Sequence, residues 1–368
     1  MLDNLQLKDE GLTVNIAGKA NIDFEYFWLR DNARDPISFD ERSHQRELYT
    51  GGVDAEIRPV DAAIANDGKA LAITWPDLDG PVIYDGTFLQ SYSTIDDPMK
   101  MPSPNLWDNH SLDHASLHLD YQKVIEGGDV SVLLKTIAES GFAVLANTPC
   151  SRESVAKTVE KIGYVRETIF GGLWEFEANE DMADSAFTPK ELRPHTDGTY
   201  SHDAPGLQML LCMEYDAKGG SSIMVDGLRI ADEIRRTDPE LFDAMTRIGV
   251  TGIYKGDGVV LRSRRPIFRL GQDGDVVQVT FNNYDRDTVR LPADDMKALY
   301  RGIRAFEALA NSPDYQWRYT LAPGEMLVFD NWRVLHGRGA FQGRRKMSGA
   351  YVNREDYESR VRMSGLVA

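Results

Sequence analysis

The first hundred residues alternate polar and apolar positions in short runs, LTVNIAG, ALAITWP and GPVIYDG, each closed by Gly, Asp or Pro. Period-two alternation between turn residues marks half-buried strands, so residues 1–95 read as a small β-rich domain. Between the runs, SFDERSHQRELYTGG reads as a loop or short helix. Residues 96–120 hold DDPMKMPSPNLWDNHSLDH, rich in Pro, Asp and Asn without periodicity, and read as a linker. Residues 121–368 then form the larger domain.

In that domain GDVSVLLKTIAESGFAVLANTP predicts a helix that stops at Gly141 and turns into the strand FAVLAN. SRESVAKTVEKIGYVR predicts a second helix, with Ser151 as N-cap and Glu153 placed for reciprocal capping. Strand patterns recur at LQMLLCMEY, SSIMVDG, VVQVTFNN, GEMLVFDN and KMSGAYVN, with helices around 227–247 and 294–311. Many strands and few helices predict a mainly β fold, an antiparallel sandwich or barrel with flanking helices.

Composition narrows the partners. At 368 residues and 42% hydrophobic content the chain can bury a large core, and it carries no run apolar enough for a membrane span. The N-terminal MLDNLQLKDEGL lacks the features of a secretory signal, so a cytoplasmic location is expected. The two cysteines, Cys150 and Cys212, sit in apolar strings and read as buried thiols of a reducing compartment. A net charge of −17 argues against nucleic acid or an anionic membrane as partner. Such acidity serves solubility and is also compatible with a cationic substrate.

The chemistry begins at His195-Thr196-Asp197. Side chains two residues apart on an extended segment share one face, so an imidazole and a carboxylate aim at one point. His336, just past the strand EMLVFDN at the start of a loop, offers a third donor. Two His and one carboxylate form the facial triad that leaves three positions open on Fe(II). An HxD string alone is more often structural than catalytic. Here the downstream His and the arginines Arg338, Arg344 and Arg345 shift the balance, because an arginine fork suits the distal carboxylate of 2-oxoglutarate.

The strings HTDGTYSHDAPGLQMLL, GGSSIMVDG, VTFNNYDRDT, PGEMLVFDNWRVLHGR and GAYVNREDYESRVR, with WLRDNARD and ITWPD near the N-terminus, cover nearly the whole chain. They resemble the γ-butyrobetaine hydroxylase and trimethyllysine hydroxylase branch of the taurine dioxygenase group. The resemblance implies a double-stranded β-helix, or jelly roll, behind a small β domain. It also implies Fe(II) held by His195, Asp197 and His336, with 2-oxoglutarate and O2 as co-substrates and succinate and CO2 as products, and a homodimer. Arg345 matches the arginine that binds 2-oxoglutarate, Ser222 stands where a threonine touches the same molecule, and Arg344 is the neighbouring alternative.

In that branch a trimethylammonium head sits in an aromatic cage, since a quaternary cation donates no hydrogen bonds and is held by π faces. The matching positions are Phe170, Trp174, Phe187 and Tyr351; the plainer reading makes them core aromatics. Asp184 replaces an asparagine and adds an anionic partner. Asn282, Asn283, Arg286, Tyr200, Ser201 and His202 are candidates for the substrate's anionic end. The implied substrates are γ-butyrobetaine or 2-(trimethylamino)ethylphosphonate, with trimethyllysine third. Animal members carry zinc in the N-terminal domain where this chain has Ala33, Asp35, Ser38 and Asp79, so no zinc is expected. The packing there is assigned to Trp28, Phe39 and Trp75.

Two other readings compete with this one. A silent quaternary-amine binding protein would keep the pocket and discard the triad, and a sulfonate dioxygenase of the same group would need no cage. His114 and His118 in HASLH lack the glutamate of a zinc protease and read as solvated. IFGGLW and RLGQDGD fit neither a dinucleotide fold nor a phosphate loop, and NREDYESRVR reads as a solvated helical face.

Overall fold

A computed structural model describes residues 1–95, 97–177 and 189–367. The chain divides into two compact units, Met1–Lys100 and Met101–Ala368.

In the first unit, Leu2–Leu7, Gly11–Ile16 and Lys19–Glu25 form one antiparallel sheet, and Asp61–Ala65, Ala70–Thr74 and Pro81–Asp85 another. Their alternation buries Leu12, Val14, Leu71, Ile73, Trp75 and Tyr84 in one core. Trp75 Nε1 donates to the Tyr84 hydroxyl at 3.0 Å, which donates to Leu29 O at 2.7 Å. Two large aromatics thus bury with their polar ends satisfied. The SFDERSHQRELYTGG segment is a two-residue hairpin, Phe39–Asp40 with Gln45–Arg46, followed by a single 3-10 turn.

The second unit is a two-sheet sandwich. Its larger sheet runs in the order Leu173–Glu177, Phe341–Val352, Leu207–Gly219, Met326–Asp330, Phe142–Ala146, His118–Asp120. Only the last pair is parallel. The smaller sheet runs Leu192–His195, Val334–Arg338, Ser222–Asp226, Gln316–Tyr319. Inner faces meet through Val144, Cys212, Phe329 and Met347 from one sheet and Met224, Val334 and Trp317 from the other. Helices Val130–Ser140, Arg152–Ile162 and Arg354–Met363 cover the outer face of the larger sheet. Gly227–Thr237, Pro239–Arg247 and Ala293–Ala310 cover that of the smaller. The central strands Phe142–Ala146, Met326–Asp330 and Ser222–Asp226 are thus buried on both sides, and the architecture is the jelly roll with flanking helices. No helix among the described residues is long and apolar enough to cross a membrane.

Gly141 ends its helix as the sequence predicts, with φ +82°, and a Cβ there would stand 2.4 Å from Val334 Cγ2. Both the left-handed backbone and the close approach demand glycine. Other expectations need correction. Ser151 caps its helix through Ser154 N at 3.2 Å, but Glu153 lies one position short of a reciprocal cap and faces Lys157 instead. The helix expected at 227–247 breaks at Asp238, which caps a new helix with Pro239 in its first turn. His114 and His118 share no helical face, because His118 opens a strand. The C-terminal helix is not merely solvated: Tyr357 and Val361 are buried in the core. Cys212 is buried, whereas Cys150 is exposed. Asp257-Gly258 turns an unforeseen hairpin, Gly249–Gly256 with Val259–Pro266, through two left-handed residues.

Candidate functional site

The smaller sheet brings the three donors together. His336 lies mid-strand in Val334–Arg338, not at the start of a loop, and is directly opposite His195 in the antiparallel ladder. Their ring centroids are 4.3 Å apart. Asp197, just beyond the strand end, turns its carboxylate between them: Oδ1 is 3.5 Å from His195 Nε2 and Oδ2 is 3.7 Å from His336 Nε2. All three donor atoms lie within 4.8 Å of one another. The imidazole–carboxylate separations exceed good hydrogen bonds, so the donors converge on a point rather than on each other.

Protonation suits the same purpose. His195 Nδ1 stands 2.8 Å from Arg193 O. A carbonyl accepts, so Nδ1 carries a proton and Nε2 is the nitrogen turned to the site. Burial, with His195 nearby, pushes His336 down to about 3, which leaves it neutral. Burial opposes charge on Asp197 too, but His336 and His195 outweigh it and hold the carboxyl well below its usual range. In His195, burial is outweighed by Asp197, which raises that pKa. An ionised carboxylate and neutral imidazole are the forms that ligate a dication. Two imidazoles and a carboxylate on one side of a buried pocket fit ferrous iron by softness and number.

A residue with no sequence signal fixes the Asp197 backbone. Asn331, 1% exposed, accepts from Asp197 N at 2.8 Å and donates to Asp197 O at 3.1 Å and Pro205 O at 2.9 Å. It sits in the string FDNWR, where nothing in the pattern separates it from a turn asparagine.

Alternation along Phe341–Val352 assigns the arginines. Arg345, Met347, Gly349 and Tyr351 share the inner face, while Ala350 and Val352 pack outward on the helices. Arg345 is 7% exposed, and its side chain makes no hydrogen bond or ion pair with the described residues. Burial lowers its pKa, yet an arginine stays charged. Arg344 points the other way, 58% exposed and paired with Glu177 and Glu214. Ser222 is buried on the strand beside Val334–Arg338, directly opposite Arg338.

On the Asp197 side lies a cavity of about 180 Å³ lined by Phe170, Tyr351, Tyr200 and Ser201 together with Arg166 and Leu261. Trp174 stands behind Tyr351, ring centroids 5.5 Å apart. It lies over Gly349, where a Cβ would meet the indole at 2.2 Å. Asn282 and Arg286 line a separate small cavity with Thr199. Asn282 is engaged in its own loop, donating to Asp285 at 2.8 Å and accepting from Tyr284 N at 2.8 Å. Asn283 is exposed and accepts from Arg286 Nε at 3.2 Å. The structure therefore brings Tyr200 and Ser201 to the Tyr351 cavity but not Asn282, Asn283 or Arg286. Asp184 and Phe187 lie outside the described residues.

Residues 106–351 match the taurine catabolism dioxygenase TauD, TfdA family. The human trimethyllysine dioxygenase, mitochondrial, is 31% identical over 94% of this chain and 83% of its own length. A γ-butyrobetaine dioxygenase of Pongo abelii is 27% identical over 91% of this chain and 89% of its own. Among solved structures, an asparagine oxygenase in complex with Fe(II), 2S,3S-3-hydroxyasparagine and succinate superposes with a TM-score of 0.51. That match covers 62% of this chain and 78% of the other at 16% identity, and it supports the fold alone.

Proposed function

Because the chain belongs to the taurine catabolism dioxygenase TauD, TfdA family, and is therefore a dioxygenase working with Fe(II), 2-oxoglutarate and O2, we propose that it hydroxylates a small trimethylammonium compound. The carrying observation is the adjacency of the triad to an aromatic cavity. Tyr351 both lines that cavity and touches Asp197 at 2.8 Å. His195, Asp197 and His336 hold the iron, which with its co-substrates bound supplies the oxidant for C–H hydroxylation. The protein's contribution is placement: the cavity wall sets which carbon faces the metal.

Arg345 binds the distal carboxylate of 2-oxoglutarate, with Ser222 contributing from the smaller sheet. A charge-assisted bond of this kind is worth about 1.5–3 kcal/mol, so Arg345→Ala raises the KM for 2-oxoglutarate roughly ten- to a hundredfold. Arg344→Ala leaves that KM within a factor of two, because its side chain faces the outer carboxylates. A steady-state titration of 2-oxoglutarate with both variants decides, and the reverse pattern removes Arg345 from the role.

Phe170 and Tyr351, with Trp174 behind, receive the quaternary head, while Tyr200 and Ser201 offer donors to the other end. γ-Butyrobetaine and 2-(trimethylamino)ethylphosphonate are both candidates, and the names of the relatives bring in trimethyllysine on equal terms. The discriminating experiment is calorimetry with γ-butyrobetaine and its neutral isostere, carbon in place of nitrogen. A desolvated cation–π contact is worth about 2 kcal/mol, so the isostere binds roughly thirtyfold more weakly. Equal affinity for the two would mean that the cavity selects shape rather than charge. The cytoplasmic location and the homodimer belong to the same proposal.

A further inference from the structure

The metal donors and the aromatic wall meet in one hydrogen bond. The Tyr351 hydroxyl stands 2.8 Å from Asp197 Oδ2, and because an ionised carboxylate can only accept, the phenol donates. Asn331 fixes the Asp197 backbone through its N–H and carbonyl, which leaves the carboxylate free to rotate. The two imidazoles stand back at 3.5 and 3.7 Å. Among the described residues, Tyr351 thus makes the one short hydrogen bond to this side chain.

The phenol is itself held rigidly. Tyr351 is 5% exposed, its strand pairs it with Gln208, its carbonyl accepts from Arg166 N at 2.9 Å, and Trp174 flanks its ring. We propose that the Tyr351 hydroxyl is a positioning group for the metal carboxylate, anchoring Oδ2 and so fixing the rotation of Asp197, while the ring of the same residue serves as cavity wall. Ring and hydroxyl belong to one rigid body, so the shape of the cavity and the orientation of the carboxylate are set together. The inference rests on the reading that His195, Asp197 and His336 hold a metal ion. It assigns to the hydroxyl a task that an aromatic cage alone does not need, since phenylalanine offers the same π face.

Tyr351→Phe removes the hydroxyl and keeps the ring. Co(II) titration, followed by its visible spectrum, reads the metal site without turnover, and tetramethylammonium calorimetry reads the cavity. Loss of a group that orients a ligand typically costs ten- to a hundredfold in metal affinity. Tyr351→Phe is expected to lose that much Co(II) affinity and to change the shape of the Co(II) spectrum, with the tetramethylammonium Kd within twofold of the unaltered protein. Tyr351→Leu, which removes the ring as well, loses tetramethylammonium binding in addition. An unchanged Co(II) affinity and spectrum in Tyr351→Phe overturns the proposal, as does an equal loss of both affinities, which would show that the wall itself had moved. Asp197→Ala separates the two levels. If it loses Co(II) while Tyr351→Phe does not, the positioning role alone falls; if it binds Co(II) as well as the unaltered protein, the metal reading falls and the inference with it.

Discussion

Asp197→Ala abolishes turnover and lowers metal affinity by more than about a hundredfold while the fold survives. Groups that merely orient a ligand cost roughly ten- to a hundredfold, and a direct ligand that also carries the site's negative charge costs more. The carboxylate stands between His195 and His336, 3.5 and 3.7 Å away, and both favour its ionised form. Its removal leaves two imidazoles facing a hole, one of them already neutral. Asp197 lies beyond the strand end, and Asn331 engages its backbone rather than its side chain, so circular dichroism and the melting transition change little. Retained activity with retained iron would remove the assignment.

Arg333→Ala is expected to destabilise the second unit by about 3–5 kcal/mol, the cost of leaving a buried carboxylate uncompensated. Arg333 and Asp226 are paired at 2.8 Å with side chains 5% and 0% exposed. The same guanidinium donates to Ala138 O, Glu139 O and Asn105 O at 3.2, 2.9 and 2.7 Å. One side chain thereby ties the segment after residue 100, the end of a helix and both strands of the smaller sheet's centre into one network. The double variant Arg333→Ala, Asp226→Ala is less destabilised than the sum of the singles, because the second removal takes away the stranded charge. Denaturant unfolding of the three variants checks this, and additive losses would show that the pair is not coupled.

Much of the fold was legible because burial on a sheet imprints a period. Strands such as LQMLLCMEY and GEMLVFDN were found where the structure has them, and Gly141 stopped its helix for a backbone reason that sequence can show. Val334–Arg338 escaped because it follows Asp330 after three residues and is buried on both faces, which erases alternation. The hairpin at Asp257-Gly258 carries a turn signal that sequence can show, an Asp-Gly pair between apolar runs. At the site, residue types and spacing single out the two histidines and the aspartate whose donor atoms the fold brings within 4.8 Å of one another. Which of Arg344 and Arg345 faces inward depends on the phase of a strand, which its neighbours fix and its own sequence does not. Asn331 was invisible for a deeper reason: its partners Asp197 and Pro205 are more than a hundred residues away, and a buried polar residue satisfied at long range leaves no local pattern.

The central claim is oxygenation of a trimethylammonium compound, and its most direct test is succinate formation by the iron-loaded protein with 2-oxoglutarate and O2. γ-Butyrobetaine, 2-(trimethylamino)ethylphosphonate, trimethyllysine and taurine are offered in parallel. The account predicts strong stimulation by one of the three trimethylammonium compounds, with a product heavier by one oxygen atom, and none by taurine. Stimulation by taurine alone, or silence with all four while iron and 2-oxoglutarate still bind, would contradict it.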